Sequence, residues 1–228
     1  MRPNNSFSSI EGLREGDILL CYTNPEKNFV ARKIKDATNS EYCHAAIYYG
    51  DSFAAESTAK NGMTKGKIEK VDVSSLVSRY DHVAVLRIPD FWDKASVQSL
   101  KEFIDSTVVK KAKYNFKGIR NFSKNKKEHE ASIYQKLDSR LEDSVNPPCT
   151  EKSNYFCSEF VCDCLIHVGR IGKGADVLYQ SDVQSPGDLS KDRSFGVFWG
   201  YLSSKCNYAV SSSDLFYYQT PYTRLYGS

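Results

Sequence analysis

Apolar positions at helical spacing concentrate in residues 154–168, where Phe160, Val161, Cys164, Leu165 and Val168 recur on one side. That spacing predicts a helix with one buried face. Asn154 is its candidate N-cap, which puts Cys157 in the first turn. The same pattern predicts an amphipathic helix over 92–112, with Val97, Leu100, Phe103, Ile104, Thr107 and Val108 on one side and Asp90 or Asp93 as its cap. A shorter helix is predicted over 29–37 from Phe29, Val30 and Ile34, with Arg32, Lys33 and Lys35 turned outward.

Strand patterns fill the rest of the first half. Gly16-Asp17-Ile18-Leu19-Leu20-Cys21-Tyr22 reads as a short, mostly buried strand broken by Asn24-Pro25. Tyr42-Cys43-His44-Ala45-Ala46-Ile47-Tyr48-Tyr49, then Gly50-Asp51, then Ser52-Phe53-Ala54-Ala55-Glu56-Ser57 is a hairpin signal. Register decides which side chains meet in it, because they alternate faces. A two-residue turn at Gly50-Asp51 pairs His44 with Ser57 and sends Glu56 to the other face. An odd loop or a bulge at Gly50 pairs His44 with Glu56 directly. A His–Glu contact therefore demands an irregular turn. Residues 61–70 read as a Gly- and Lys-rich loop, followed by Val71-Asp72-Val73 and a short Ser-Leu-Val segment; residues 82–88 form a strand ended by Pro89.

From 110 to 127 there are eight basic residues and no acidic one, interleaved with Tyr114, Phe116 and Phe122. Residues 128–151 are polar and of mixed charge, with a surface helix expected around 133–141 and closure at Pro147-Pro148. The region 115–152 reads as an insertion or lid on a single domain spanning 1–228. Ser185-Pro186-Gly187-Asp188-Leu189 reads as a turn, 195–201 as an aromatic segment, and 207–228 as a tail rich in Tyr and Ser.

The 228 residues suit one domain with a full core. The formal net charge of +3 is too mild to imply nucleic acid. Seven cysteines, an odd number without framework spacing, suggest reduced thiols. Residues 1–16 lack the apolar core of a signal peptide and no run reaches membrane-spanning length, so a cytoplasmic protein is expected, with signal-independent export still open.

Cys157, beside unpaired N–H groups and the positive end of a helix dipole, is placed to favour thiolate, the nucleophilic form. Burial as an inert core thiol is the competing reading. A thiol nucleophile needs a base, and the base an orienting group. His167 lies ten residues along the same helix, roughly 15 Å away. His129 sits in the polar insertion and is expected to be solvated. His82 follows Asp81 without a further signature. His44 is the best base, since a polar imidazole on an apolar strand needs a reason, although a hydrogen-bonded core histidine would also satisfy it. Cys157, Cys162, Cys164 and His167 carry zinc-ligating groups at poor spacing, so no metal and no cofactor is expected. Lys110, Lys111, Lys113, Lys117 and Arg120 offer a contact for an anionic membrane or an acidic substrate, or simply a solvated face.

Gly-Asp-Ile-Leu-Leu, Cys-His-Ala-Ala-Ile-Tyr-Tyr-Gly, Ala-Ala-Glu-Ser, and much later Tyr-Phe-Cys-Ser-Glu-Phe-Val occur in this order. Together they resemble the circularly permuted papain-like hydrolases, the YiiX/YebB-like relatives of the NlpC-type amidases. The resemblance spans about 16–189, including Ala112-Lys113-Tyr114-Asn115 and Ser-Pro-Gly-Asp-Leu. It implies an α+β fold, an antiparallel sheet or small barrel packed against the cysteine helix. It also implies Cys157 as nucleophile, His44 as base and then acid, and Glu56 as the group orienting the imidazole. Tyr114 and Ser158, with the N–H groups opening the helix, are weaker candidates for oxyanion or substrate contacts. Asn115 departs from the family's common aspartate, and the insertion after Lys117 is long and basic. The expected activity is a thiol hydrolase of the amidase or cysteine-peptidase type. Lipid-directed acyl transfer or phospholipase chemistry on the same site, and an inactive lipid- or protein-binding module, are the alternatives.

Overall fold

The computed structural model describes residues 7–26, 29–60, 65–142, 152–172 and 175–221. It is an α+β protein. Strands β1 (Ile18–Tyr22), β2 (His44–Gly50), β3 (Phe53–Lys60), β4 (Lys65–Asp72), β5 (His82–Arg87), β6 (Lys113–Tyr114), β7 (Asn154–Tyr155) and β8 (Val197–Leu202) form one mixed sheet in the order β7-β6-β4-β3-β2-β1-β5-β8. Every pairing is antiparallel except β6 with β7. The helices are α1 (Phe29–Thr38), α2 (Val73–Ser78), α3 (Lys94–Val109), α4 (Phe116–Glu142), α5 (Cys157–His167) and α6 (Pro186–Lys191).

Both faces of the sheet's middle are covered, which is why β1 reads as an unbroken apolar run. Ile18, Leu20, Ala45, Ile47, Ala84 and Leu86 face a core shared with Phe103 and Ile104 of α3 and Phe160, Val161 and Leu165 of α5. Leu19, Cys21, Ala46, Tyr48 and Val85 face the other way, onto Leu76 and Val77 of α2 and Trp199. Helix α5 is thus buried nearly all round rather than along one face, and its polar residues Glu159 and Asp163 are both ion-paired to Lys152.

Several expected boundaries shift. The predicted helix over 92–112 is α3, capped by Asp93, whose side chain accepts from the Ser96 N–H at 2.7 Å. Residues 65–72, expected as loop, form β4, because β3 offers them a full antiparallel register from Phe53↔Asp72 to Lys60↔Lys65. The Ser-Pro-Gly-Asp-Leu turn is the start of α6, where Ser185 and Asp188 cap one another reciprocally. The polar insertion is one 27-residue helix, α4, that begins inside the basic stretch rather than at 133. It packs on α1 and on residues 175–183. Part of the tail joins the core through Asp214, whose carboxylate accepts from Tyr42, Tyr201 and the Phe216 N–H and pairs with His82. Residues 61–64, the turn expected at Pro147-Pro148, and residues 222–228 lie outside the described residues. No helix among the described residues is long and apolar enough to cross a membrane.

Candidate active site

The hairpin turn is irregular, as a His–Glu contact demands. Asp51 and Ser52, both at positive φ, make the turn, and the register slips between Tyr48 and Gly50. The slip sets Glu56 opposite Ala46, so the expected direct pairing of His44 with Glu56 is replaced by a diagonal one on the same face. His44 Nε2 lies 2.7 Å from Glu56 Oε2. The other carboxylate oxygen, Oε1, accepts from Arg79 Nη2 at 2.8 Å. Arg79 is the residue that ends α2, and Tyr80 beside it lays its ring parallel to the imidazole, 5.8 Å between centroids.

Helix α5 brings the thiol. Its N-cap is Phe156 rather than Asn154, which is exposed in β7. Cys157 is therefore the first helical residue, and Glu159 closes the turn by accepting the Phe156 N–H at 3.1 Å. The His44 ring, and the backbone N–H groups of Ala45 and Ser158, all act on the thiol in the direction of thiolate. Cys157 is only 3% exposed.

The electrostatics of the pair run against its burial. Burial works to lower the His44 pKa, but its hydrogen bonds to Cys157 and Glu56 and their charges raise it to about 9. Burial works to raise the Cys157 pKa, and the hydrogen bond and charge of His44, with the two backbone N–H groups, bring it below its ordinary value. Both shifts favour a thiolate–imidazolium pair. Glu56 is lowered despite burial by His44 and Arg79, so it stays ionised beneath the ring. The neighbouring thiols behave oppositely: burial pushes Cys43 up to about 12 and Cys21 well above its usual range. Of these three thiols, only the one at the helix start is shifted toward losing its proton.

Tyr114 is buried near the thiol, its pKa raised by burial and then by the charges of Cys157 and Glu159. Its ring packs in a cluster with Phe122 and Phe156. Ser158 turns its hydroxyl away to the Gln184 carbonyl at 2.8 Å, so that side chain is committed to structure and only its N–H faces the sulfur. Asn115 is held from both sides. Its oxygen caps α4 by accepting the Gly118 N–H at 2.8 Å, and its amide donates to Glu159 Oε2 at 3.1 Å. A carboxylate there would face another carboxylate.

The other histidines fall elsewhere. His129 is not solvated: it is 5% exposed, with Nδ1 3.1 Å from Gln180 Oε1 under α4. His82 is buried against Asp214 and Tyr208, and His167 stacks on Phe103. Cys162 donates to the Tyr179 carbonyl. Among the described residues no group of three or more His, Cys, Asp or Glu side chains is placed to hold a metal ion. Sequence reasoning missed Arg79 and Tyr80. Their one signal was that the short helix carrying Val73 and Leu76 ends where the chain turns toward β5. No family model matches the chain, and no curated protein matches it.

Proposed function

We propose that the protein is a thiol hydrolase of the circularly permuted papain-like kind, cleaving an amide or ester bond through an acyl-enzyme on Cys157. The observation that carries this reading is the hydrogen-bonded chain Arg79–Glu56–His44, whose imidazole lowers the pKa of the Cys157 thiol while burial raises those of Cys21 and Cys43. The order of histidine strand, acidic strand and cysteine helix along one sheet supports the family assignment.

The thiolate attacks the substrate carbonyl, and the charge passes to the carbonyl oxygen. Backbone N–H groups at the start of α5 serve as donors to that oxyanion. His44 then gives its proton to the leaving amine or alkoxide as the C–N or C–O bond breaks, leaving a thioester. Water, deprotonated by His44, attacks the thioester and releases the acid and the thiolate, with the proton back on the imidazole. Glu56 holds the ring and stabilises its cationic form; Arg79 holds Glu56. With Cys157 only 3% exposed, substrate entry requires side chains around it to move.

Iodoacetamide labelling mapped by mass spectrometry tests the reading. Cys157 should label fastest among the thiols near neutral pH and slow sharply in His44→Ala, and amide or ester substrates should leave an acyl adduct on Cys157. Labelling no faster than that of Cys162 or Cys164, and unchanged by His44→Ala, would remove the catalytic pair.

A further inference from the structure

Helix α4 has a surface that the thiol site does not use. Its inner side is packed, with Phe122 against Phe156 and His129 beneath Gln180. On its outer side Lys117, Arg120, Lys124 and Lys127 are all exposed. Steps of three, four and three residues hold them within an arc of about 80°, in a stripe roughly 15 Å long. No carboxylate occurs on the helix before Glu128. Among the described residues only Lys124 of the four has an ion pair, a solvent-exposed one to Glu128 at 3.7 Å. Further steps of four and three carry the stripe over exposed Ala131 to Tyr134, which is 79% exposed.

We propose that this face of α4 docks on an anionic bilayer, its cations against the headgroups and Tyr134 in the interfacial layer. Three of the four cations have no ion pair among the described residues, and all four lie along one line, as a flat anionic surface requires. An exposed tyrosine with an apolar ring and a polar tip suits the boundary between headgroup and acyl chain better than bulk water. A single-stranded nucleic acid would ask for aromatic rings interleaved with the cations. The outer stripe has none between Lys117 and Lys127. Helix α4 starts at the Asn115 cap, which touches Glu159 in the first turn of α5. Docking would therefore bring the thiol's helix close to the membrane. The inference stands on the helix surface and not on the thiol chemistry.

Sedimentation of the full chain with vesicles of phosphatidylcholine, with and without phosphatidylserine, tests it. Binding should require phosphatidylserine and weaken steeply with salt. Each cation near such a surface strengthens partitioning roughly fivefold, so Lys117→Gln/Lys124→Gln should lower it about 25-fold. Tyr134→Ser should weaken binding severalfold even at raised salt, and all variants should keep the parent's circular dichroism. Equal sedimentation of parent and double variant, or no sedimentation, would overturn the proposal. So would an oligothymidylate that binds the parent tightly and loses affinity in the same variants while the vesicles stay unbound.

Discussion

Replacing Glu56 by glutamine keeps the shape of the side chain and removes its charge. In the parent, that carboxylate is wholly buried, 2.7 Å from His44 Nε2 and 2.8 Å from Arg79 Nη2. A hydrogen bond to a charged partner contributes about 1.5–3 kcal/mol, which corresponds to roughly one to two pKa units. Burial then pulls the imidazole down with less to oppose it, from its present value of about 9. The imidazolium therefore gives up its proton at lower pH, and the pH range in which it faces the thiolate narrows from the alkaline side. The assay is the second-order rate of iodoacetamide labelling at Cys157 across pH. In Glu56→Gln the alkaline step of the profile, where the imidazolium loses its proton, should shift down by about one to two pH units from about 9. Stability should fall by about 1–3 kcal/mol as Arg79 loses its buried acceptor, a loss to be checked by urea unfolding. A folded variant with an unshifted profile would show that Glu56 does not sustain the imidazolium, and the argument for the chain of charges would fail.

Arg79→Gln should move the same profile in the same direction by less, since Arg79 is part-exposed and acts on the ring through Glu56; a shift as large as that of Glu56→Gln would contradict this order. Asn115→Asp keeps the α4 cap but sets a second carboxylate beside Glu159, so its melting temperature should drop at neutral pH and recover toward the parent in mild acid, whereas an equal drop at both pH values would refute the contact. Asp214 stays below its ordinary value of 3.8 because, against burial, His82, Tyr201 and the Phe216 N–H outweigh the desolvation. Its contribution is present above pH 3.8 and lost as pH falls through the lower folded value. Asp214→Asn should therefore cost about 1–3 kcal/mol at neutral pH and flatten the acid limb of the urea-stability curve; a limb as steep as the parent's would refute this. Gly66→Ala would place a Cβ 2.4 Å from Tyr114 Cβ and 2.5 Å from the Thr58 carbonyl oxygen. The backbone must shift, and a loss of about 1–3 kcal/mol is expected on thermal unfolding; a variant as stable as the parent would refute the close approach.

The sequence made β1, β2, β5, α3 and α5 legible because each carries its own periodicity. It also made the parity of the hairpin legible as a condition: Glu56 could share a face with His44 only if the turn slipped, and it slips at Gly50. What stayed hidden depended on partners distant in the chain. Strand β4 looks like a loop because Lys65, Lys67 and Lys70 leave it few apolar positions; its stability as a strand comes from β3 beside it. His129 looked solvated because its neighbours in sequence are charged, while the group that covers it, Gln180, is fifty-one residues on. Arg79 was invisible for the same reason, since its carboxylate partner lies twenty-three residues back across a different element. Asn154 was a reasonable cap by type, but β6 recruited it as a strand residue opposite Lys113, and the cap passed to the Phe156 backbone.

The parallel pairing of β6 with β7 has a wider meaning. The chain leaves the sheet after Tyr114 and returns at Asn154 in the neighbouring lane, with the Asn115 N–H donating to the Tyr155 carbonyl at 2.9 Å. An excursion whose two ends are already fastened side by side adds little closure entropy as it lengthens, about 0.6 kcal/mol for each doubling. Natural selection can therefore rewrite the outer part of α4, in length or in charge, while Asn115, Phe122 and Lys152 at the roots of the excursion stay fixed against the thiol's helix. The same property makes the junction a docking port for engineering, where a foreign module could replace the outer part of α4 and be carried beside an unaltered thiol.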